Sequence, residues 1–247
     1  TDNRRQRQMC IRDRIWELQN FSNYYISPSF FNETTSTKKD GLDWLKNDKR
    51  QKNLTDKLKN KLITAGVDEV GRGCLAGPVV SAAVIFKEGI NLELLKDSKK
   101  ITFKKRIKIS EHIKSYSYYA IGLASVDEIL DLNILQASLL SMKRALEQLT
   151  VKPDLTLIDG NFAPSGLKNF KTIINGDEKV KVISAASIIA KVYRDNLMIK
   201  LSEKFSNYAW ESNFGYGTKA HLDGLKKYGV TSHHRKGFKP IHKILSN

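Results

Sequence analysis

Two adjacent carboxylates, Asp68 and Glu69, follow a β-prone run at residues 62–67. The pair therefore lies at the end of a predicted strand, where neighbouring side chains diverge to opposite sides. Like charges this close repel each other unless a cation neutralises them, and hard divalent cations such as Mg2+ prefer oxygen ligands. An isolated Asp-Glu pair is more often a solvated turn, so it indicates a metal site only together with further acids.

Two further acids occupy similar positions. Asp159 ends the apolar run LTLI and begins a turn, and Asp177 follows Gly176 ahead of a long helical pattern. A single Asp-Gly or Gly-Asp step is most often only a turn. Four carboxylates that met at strand ends would supply the ligands of a two-metal site. Such a site stabilises the attacking and leaving oxygens of a phosphoryl displacement.

A glycine loop follows the first acidic pair and contains Gly71, Arg72 and Gly73. Residues 71–76 also fit a loose dinucleotide-binding pattern, which requires a helix to begin on the glycines. A Gly-Pro step and a β-prone run follow instead, so the dinucleotide interpretation fails on context. What remains is a flexible loop that could bring backbone amides and the Arg72 cation close to a phosphate or sugar.

The elements that would position these residues form an α/β pattern. Five β-prone runs lie at residues 62–67, 79–86, 118–124, 155–158 and 171–174. Helical patterns lie at residues 103–114, 132–149, 184–205 and 218–228. Several early strands followed by helices predict a layered α/β domain with a mixed sheet.

Residues 1–60 differ in composition from the rest of the chain, because they are polar and charged and have no alternating apolar run. We predict an N-terminal extension here, with a basic helix at residues 44–62. Residues 9–14 (MCIRDR) look like a translated sequencing-library adaptor, so residues 1–14 are treated as a possible artefact and receive no function.

The net charge of the chain indicates which class of molecule it binds. The 247 residues include 42 basic and 26 acidic residues, and the formal net charge is +16. This excess indicates a polyanionic partner, with nucleic acid ahead of an acidic membrane surface, although solvated lysine-rich faces are a common alternative.

Two cysteines, Cys10 and Cys74, exclude a disulfide framework and a cysteine zinc site. Without a membrane-length apolar run or a secretory signal, we expect a soluble cytoplasmic protein.

The last 31 residues, 217–247, are strongly basic. Against the single acid Asp223 they hold seven cations: Lys219, Lys226, Lys227, Arg235, Lys236, Lys239 and Lys243. Four histidines lie there as well: His221, His233, His234 and His242. Because their companions are basic rather than carboxylate, we interpret them as phosphate contacts or surface residues instead of a metal site.

Ordered sequence blocks make the chain resemble the ribonuclease HII family over residues 62–241. The blocks are GVDEVGRGCLAGPVV, DSKK, NILQASLLSM, IDGN, GD, SAASIIAKVYRD, GYGTKAHLDGLKKYG and HRKGF. The resemblance implies a ribonuclease H-like fold, in which helices flank a mixed five-stranded sheet and a helical extension follows at the C-terminus. It also implies a catalytic core at residues 61–212 and a basic substrate-binding segment at residues 213–247.

The resemblance further implies a function. The expected enzyme hydrolyses the RNA strand of RNA–DNA hybrids and cuts 5′ of ribonucleotides in duplex DNA, as a monomer, leaving 5′-phosphate and 3′-hydroxyl ends. Four residues match its catalytic ligands for Mg2+ or Mn2+: Asp68, Glu69, Asp159 and Asp177. Six match or extend its substrate contacts: Gly71, Arg72, Gly73, Lys99, Lys100 and Tyr216. The loop glycines and Arg72 would sense the 2′-hydroxyl, and Tyr216 would stack on the neighbouring deoxyribose.

Two departures from the family pattern affect these expectations. Cys74 stands where the family usually has proline, which loosens the loop. Asn175 replaces a frequent lysine two positions before Asp177, so Glu178 is the alternative fourth ligand. The competing interpretation is a catalytically silent, basic nucleic-acid-binding relative. It gains nothing from clustered carboxylates, which would repel phosphate if no cation neutralised them.

Overall fold

A mixed five-stranded sheet forms the centre of the computed structural model, which describes residues 62–95 and 102–246. The strands are β1 (Thr64–Val70), β2 (Val79–Phe86), β3 (Ser117–Ala124), β4 (Leu155–Asp159) and β5 (Phe170–Ile173). Their spatial order is β3-β2-β1-β4-β5. The first three strands pair antiparallel, whereas β4 is parallel to both β1 and β5. The predicted mixed sheet is confirmed.

Seven α-helices surround this sheet within the described residues. They are α1 (Phe103–Ser115), α2 (Val126–Glu147), α3 (Gly176–Lys179), α4 (Lys181–Lys204), α5 (Trp210–Asn213), α6 (Lys219–Tyr228) and α7 (Lys239–Leu245). Short 3-10 turns lie at Leu92–Leu95 and Ser206–Tyr208. One face of the sheet packs on α1 and α4, the other face packs on α2, and the C-terminal helices gather around buried Trp210.

Two glycines allow these helices to approach the strands closely. A Cβ atom at Gly66 of β1 would overlap the backbone carbonyl of Val182 on α4. A Cβ atom at Gly122 of β3 would likewise overlap the carbonyl oxygen of Ser141 on α2. Helix α4 therefore lies directly against the strand that carries Asp68, and its side chains can reach that carboxylate.

Several element boundaries differ from the predictions. Strand β1 continues to Val70, so Asp68 and Glu69 lie within the strand rather than beyond its end. Helix α2 begins at Val126 instead of residue 132, because Ser125 and Glu128 form a reciprocal capping box. Helices α3, α5 and α7 were not predicted.

Helix α2 is also kinked at Asn133, whose φ is 70°. The Asn133 side chain accepts hydrogen bonds from the backbone N–H groups of Leu135 and Gln136, and so caps the second half of the helix.

Several predictions fall outside the described residues, namely the N-terminal extension at residues 1–60, the basic helix at 44–62, and Lys99 and Lys100. Among the residues that are described, no helix has the length and apolarity that crossing a membrane requires.

Candidate active site

Strands β1 and β4 bring Asp68 and Asp159 side by side. Their parallel register pairs Val67 with Ile158, so the next residue on each strand is an aspartate. Asp68 is only 5 % exposed. Burial, followed by the charge of Glu69 and then that of Asp159, raises the pKa of Asp68 well above its usual range. A hydrogen bond with Ser187 acts in the opposite direction, and it places α4 against this carboxylate.

Glu69 belongs to the same group of charges. Its pKa is raised by burial first, and the charge of Asp159 adds to the effect. Arg72 opposes this shift because its Nη1 donates to Glu69 Oε1 at 3.1 Å. The side chain of Glu69 is 10 % exposed and that of Arg72 is 49 % exposed. The ion pair therefore links the acidic cluster to the surface of the glycine loop.

The N-terminus of α3 orients Asp159. The backbone N–H of Gly176 donates to Asp159 Oδ1 at 2.6 Å. A Cβ atom at Gly176 would lie 2.7 Å from Ile183 Cδ1, so glycine is the residue that permits this approach. Asn175 reverses the chain in the left-handed region, with φ 54°. Half-buried Asp177 follows on the first turn of α3.

The structure thus brings Asp68, Glu69 and Asp159 into mutual electrostatic contact, and it connects Asp177 to them through the backbone of its neighbour. Across residues 62–95 and 102–246, no three Asp, Glu, His or Cys side chains are already arranged around one common ion position. Magnesium usually takes one or two carboxylates, with water and substrate phosphate completing its shell. Repelling, buried carboxylates with oxygen donors alone fit such a cation.

The glycine loop leaves β1 beside a buried arginine. Gly71 has φ 93°, and a Cβ atom there would overlap the Arg194 side chain. Gly73 is exposed, and a Cβ atom there would meet only Tyr216 Cε1, at 4.0 Å. The first glycine is therefore required by packing, whereas the second leaves open space in front of Tyr216.

A polar stripe on α4 was missed in the sequence. Ser187, Lys191 and Asp195 recur every four residues and so lie on one face of α4. Lys191 Nζ lies 2.7 Å from Asp195 Oδ1. The same Nζ lies 4.8 Å from the ring centroid of Phe214 and 5.8 Å from that of Tyr216. Their four-residue spacing, which places all three on one helix face, is the signal that could have identified them.

The prediction that the tail histidines contact phosphate or lie on the surface is wrong for two of them. His221 and His234 are both 0 % exposed, and they pack against the ring of Trp210. Burial first, then the charges of the neighbouring histidines, lowers the pKa of His234 to about 3. Arg235 is 1 % exposed and so does not belong to the basic surface. His242 is exposed, as predicted.

The chain is similar to known proteins. The family model described as Ribonuclease HII matches residues 65–243. The Ribonuclease HII of Pelagibacter ubique is 56 % identical over 185 residues, which cover 74 % of this chain and 99 % of the relative. The crystal structure of ribonuclease H2 from Pyrococcus horikoshii OT3 has 30 % identity and a TM-score of 0.63, covering 74 % of this chain and 97 % of that one. Bst-RNase HIII in complex with Mn2+ shares the fold at 17 % identity, with a TM-score of 0.58 and coverage of 87 % and 75 %, respectively.

Proposed function

Because the chain belongs to the ribonuclease HII family and is a ribonuclease H, we propose that it cuts RNA–DNA hybrids and also single ribonucleotides embedded in duplex DNA. Cleavage falls on the 5′ side of the ribonucleotide and leaves 5′-phosphate and 3′-hydroxyl ends. The observation that carries this proposal is the cluster of Asp68, Glu69 and Asp159. Burial and mutual repulsion raise the pKa values of Asp68 and Glu69.

Four carboxylates hold the divalent ions in this proposal: Asp68, Glu69, Asp159 and Asp177. Mg2+ and Mn2+ both suit an all-oxygen donor set. A pair of such ions supplies an activated water and stabilises the leaving oxygen. The protein's part is orientation, since Asp68 is held by Ser187 and Asp159 by the N–H of Gly176. Fixed carboxylates reduce the rearrangement that the reaction requires.

The glycine loop and Tyr216 select the substrate. The 2′-hydroxyl is the group that distinguishes RNA from DNA at one site. Gly73 is exposed beside the ring of Tyr216, so a ribose could lie against loop backbone while the next sugar stacks on the ring. Half-exposed Arg72 lies between this loop and Glu69, where it can meet the scissile strand. We retain Lys99 and Lys100 as predicted phosphate contacts.

The test uses a DNA duplex that carries one ribonucleotide, incubated with Mg2+, Mn2+ or EDTA. We expect a cut on the 5′ side of the ribonucleotide with either ion, no cut with EDTA, and no cut in an all-DNA duplex. Asp68→Asn should abolish cleavage and retain duplex binding. The matched control is Asp223→Asn, which changes an exposed acid on α6 and should cut like the parent. Cleavage by Asp68→Asn at the parent's rate would overturn the metal-site assignment.

A further inference from the structure

A buried hydrogen-bonded chain runs from Thr231 to the backbone of Tyr216. The N–H of Thr231 donates to His234 Nδ1 at 2.9 Å. His234 Nε2 lies 3.0 Å from His221 Nε2, and His221 Nδ1 lies 2.9 Å from the carbonyl oxygen of Tyr216. Both imidazole rings are 0 % exposed. Both rings are therefore shielded from solvent, and their partners belong to the protein.

The partners at each end of the chain determine where the protons lie. The Tyr216 carbonyl can only accept, so His221 carries its proton on Nδ1. His221 Nε2 is then an acceptor, and it receives the indole N–H of Trp210 at 3.1 Å. The N–H of Thr231 can only donate, so His234 carries its proton on Nε2 and donates to His221. Both rings are neutral, and the single lone pair of His221 Nε2 is shared by two donors, the indole N–H of Trp210 and the Nε2–H of His234.

The next residue, Arg235, holds the glycine loop. Its Nη1 donates to the carbonyl of Arg72 at 2.8 Å, and its Nε donates to the carbonyl of Gly77 at 2.9 Å. Its backbone N–H donates to the carbonyl of Leu75 at 2.8 Å. The guanidinium is buried, because Arg235 is only 1 % exposed. These contacts join Arg72 of the glycine loop, and the residues just beyond the loop, to Arg235.

Adjacent residues thus hold the two elements that face the substrate. His234 reaches the Tyr216 backbone through His221, and Arg235 reaches the loop directly. We propose that His234 and Arg235 are positioning residues that set the spacing between the glycine loop and Tyr216, and so determine the efficiency of cutting at a single embedded ribonucleotide. This inference rests on the function proposed above.

The two substrate classes should depend differently on that spacing. A single ribonucleotide offers one 2′-hydroxyl, so the loop and Tyr216 must contact adjacent sugars at the same time. A continuous RNA strand offers a 2′-hydroxyl at every position, so imperfect spacing still finds a ribose. Misplacement of a positioning element by about 1 Å can cost on the order of a hundredfold in rate. A merely structural role would lower the folded fraction and reduce both activities equally.

The experiment therefore measures a ratio, the kcat/KM for a single embedded ribonucleotide divided by that for a continuous RNA–DNA hybrid. In His234→Ala we expect the ratio to fall by about tenfold or more. His234→Gln keeps an amide N–H that can donate to His221 Nε2, and its ratio should stay close to that of the parent. The matched control is Tyr208→Phe, which removes a 3.1 Å bond to the carbonyl of Gly229 in the same aromatic cluster. Its ratio should equal the parent's.

Two results would contradict the positioning role of His234. An unchanged ratio in His234→Ala, or an equal fall in Tyr208→Phe, would overturn the inference. If His234→Ala does not fold, His234→Asn replaces it, because asparagine can accept from Thr231 but is too short to reach His221. The ratio must fall in that variant too. A parent enzyme that cuts hybrids and leaves single ribonucleotides intact would instead refute the proposed function, and this inference would fall with it.

Discussion

Mild acid should weaken the fold through His234. The folded protein holds this ring neutral, because it is buried between a donor from Thr231 and an acceptor on His221. Its pKa falls from 6.5 to about 3 on folding. As the pH falls below the pKa of the unfolded ring, the unfolded chain binds a proton that the folded protein excludes. Stability contributed by the neutral ring is therefore present above about pH 6.5 and is lost progressively as the pH falls toward 3.

The size of the effect follows from the two pKa values. A pH of about 5 lies roughly 1.5 units below the pKa of the unfolded ring. Each pH unit changes the free energy of protonation by about 1.36 kcal/mol. The free energy of unfolding should therefore drop by about 2 kcal/mol between neutral pH and about pH 5. Any folded pKa below about 4 gives nearly the same loss, since the folded ring is then still neutral at that pH.

Urea unfolding at the two pH values measures this loss, with His234→Gln as the reference variant. Asp68 and Glu69 act in the opposite sense, because their raised pKa values let the folded protein keep protons as the pH falls. His221 is buried in both proteins, and burial is the main cause of its lowered pKa. The difference between parent and variant cancels these shared contributions. Equal losses in the two proteins would show that His234 is not held neutral by the fold.

Four substitutions test the remaining packing and charge arguments. Asp68→Asn removes a repelling charge and should raise the free energy of unfolding by about 1 kcal/mol, measured by thermal unfolding in EDTA; a lower stability would contradict the repulsion. The variant Gly73→Ala should fold normally and cut embedded ribonucleotides poorly. In contrast, Gly71→Ala should be less stable, because its new methyl group overlaps Arg194. Equal melting temperatures of the two variants would refute that distinction. Gly66→Ala should cost about 3 kcal/mol in urea unfolding because α4 lies against β1, and a neutral change would show that the helix can move away.

Much of the sheet could be predicted because its strands are locally distinct. The run VVSAAVIF is apolar on both faces, and β2 occupies the predicted residues. The acidic cluster could be anticipated for a related reason, since Asp68 and Asp159 each follow a β-prone run and adjacent parallel strands align. The capping box that begins α2 was readable from Ser125 and Glu128, but the apolar period alone placed the start too late.

The burial of the C-terminal polar residues could not be predicted in the same way. A histidine's environment depends on distant partners, and the ring of His221 meets Trp210 and the Tyr216 carbonyl only in the folded chain. Arg235 lies in a run of basic residues that resembles a solvated surface. Its burial becomes intelligible once the carbonyls of Arg72 and Gly77 are seen to need donors. The substrate roles of the loop and of Tyr216 stay predictions.

The 163 positions between Arg235 and Arg72 also matter for biosynthesis. During translation the acidic strand leaves the ribosome long before the arginine that fastens the adjacent loop. A nascent chain that has not yet exposed Arg235 already carries Asp68 and Glu69, while the carbonyls of Arg72 and Gly77 still lack their donor. Contacts of such long range form late in folding. Partly synthesised chains therefore carry the acidic pair before the contacts that hold the adjacent loop can form.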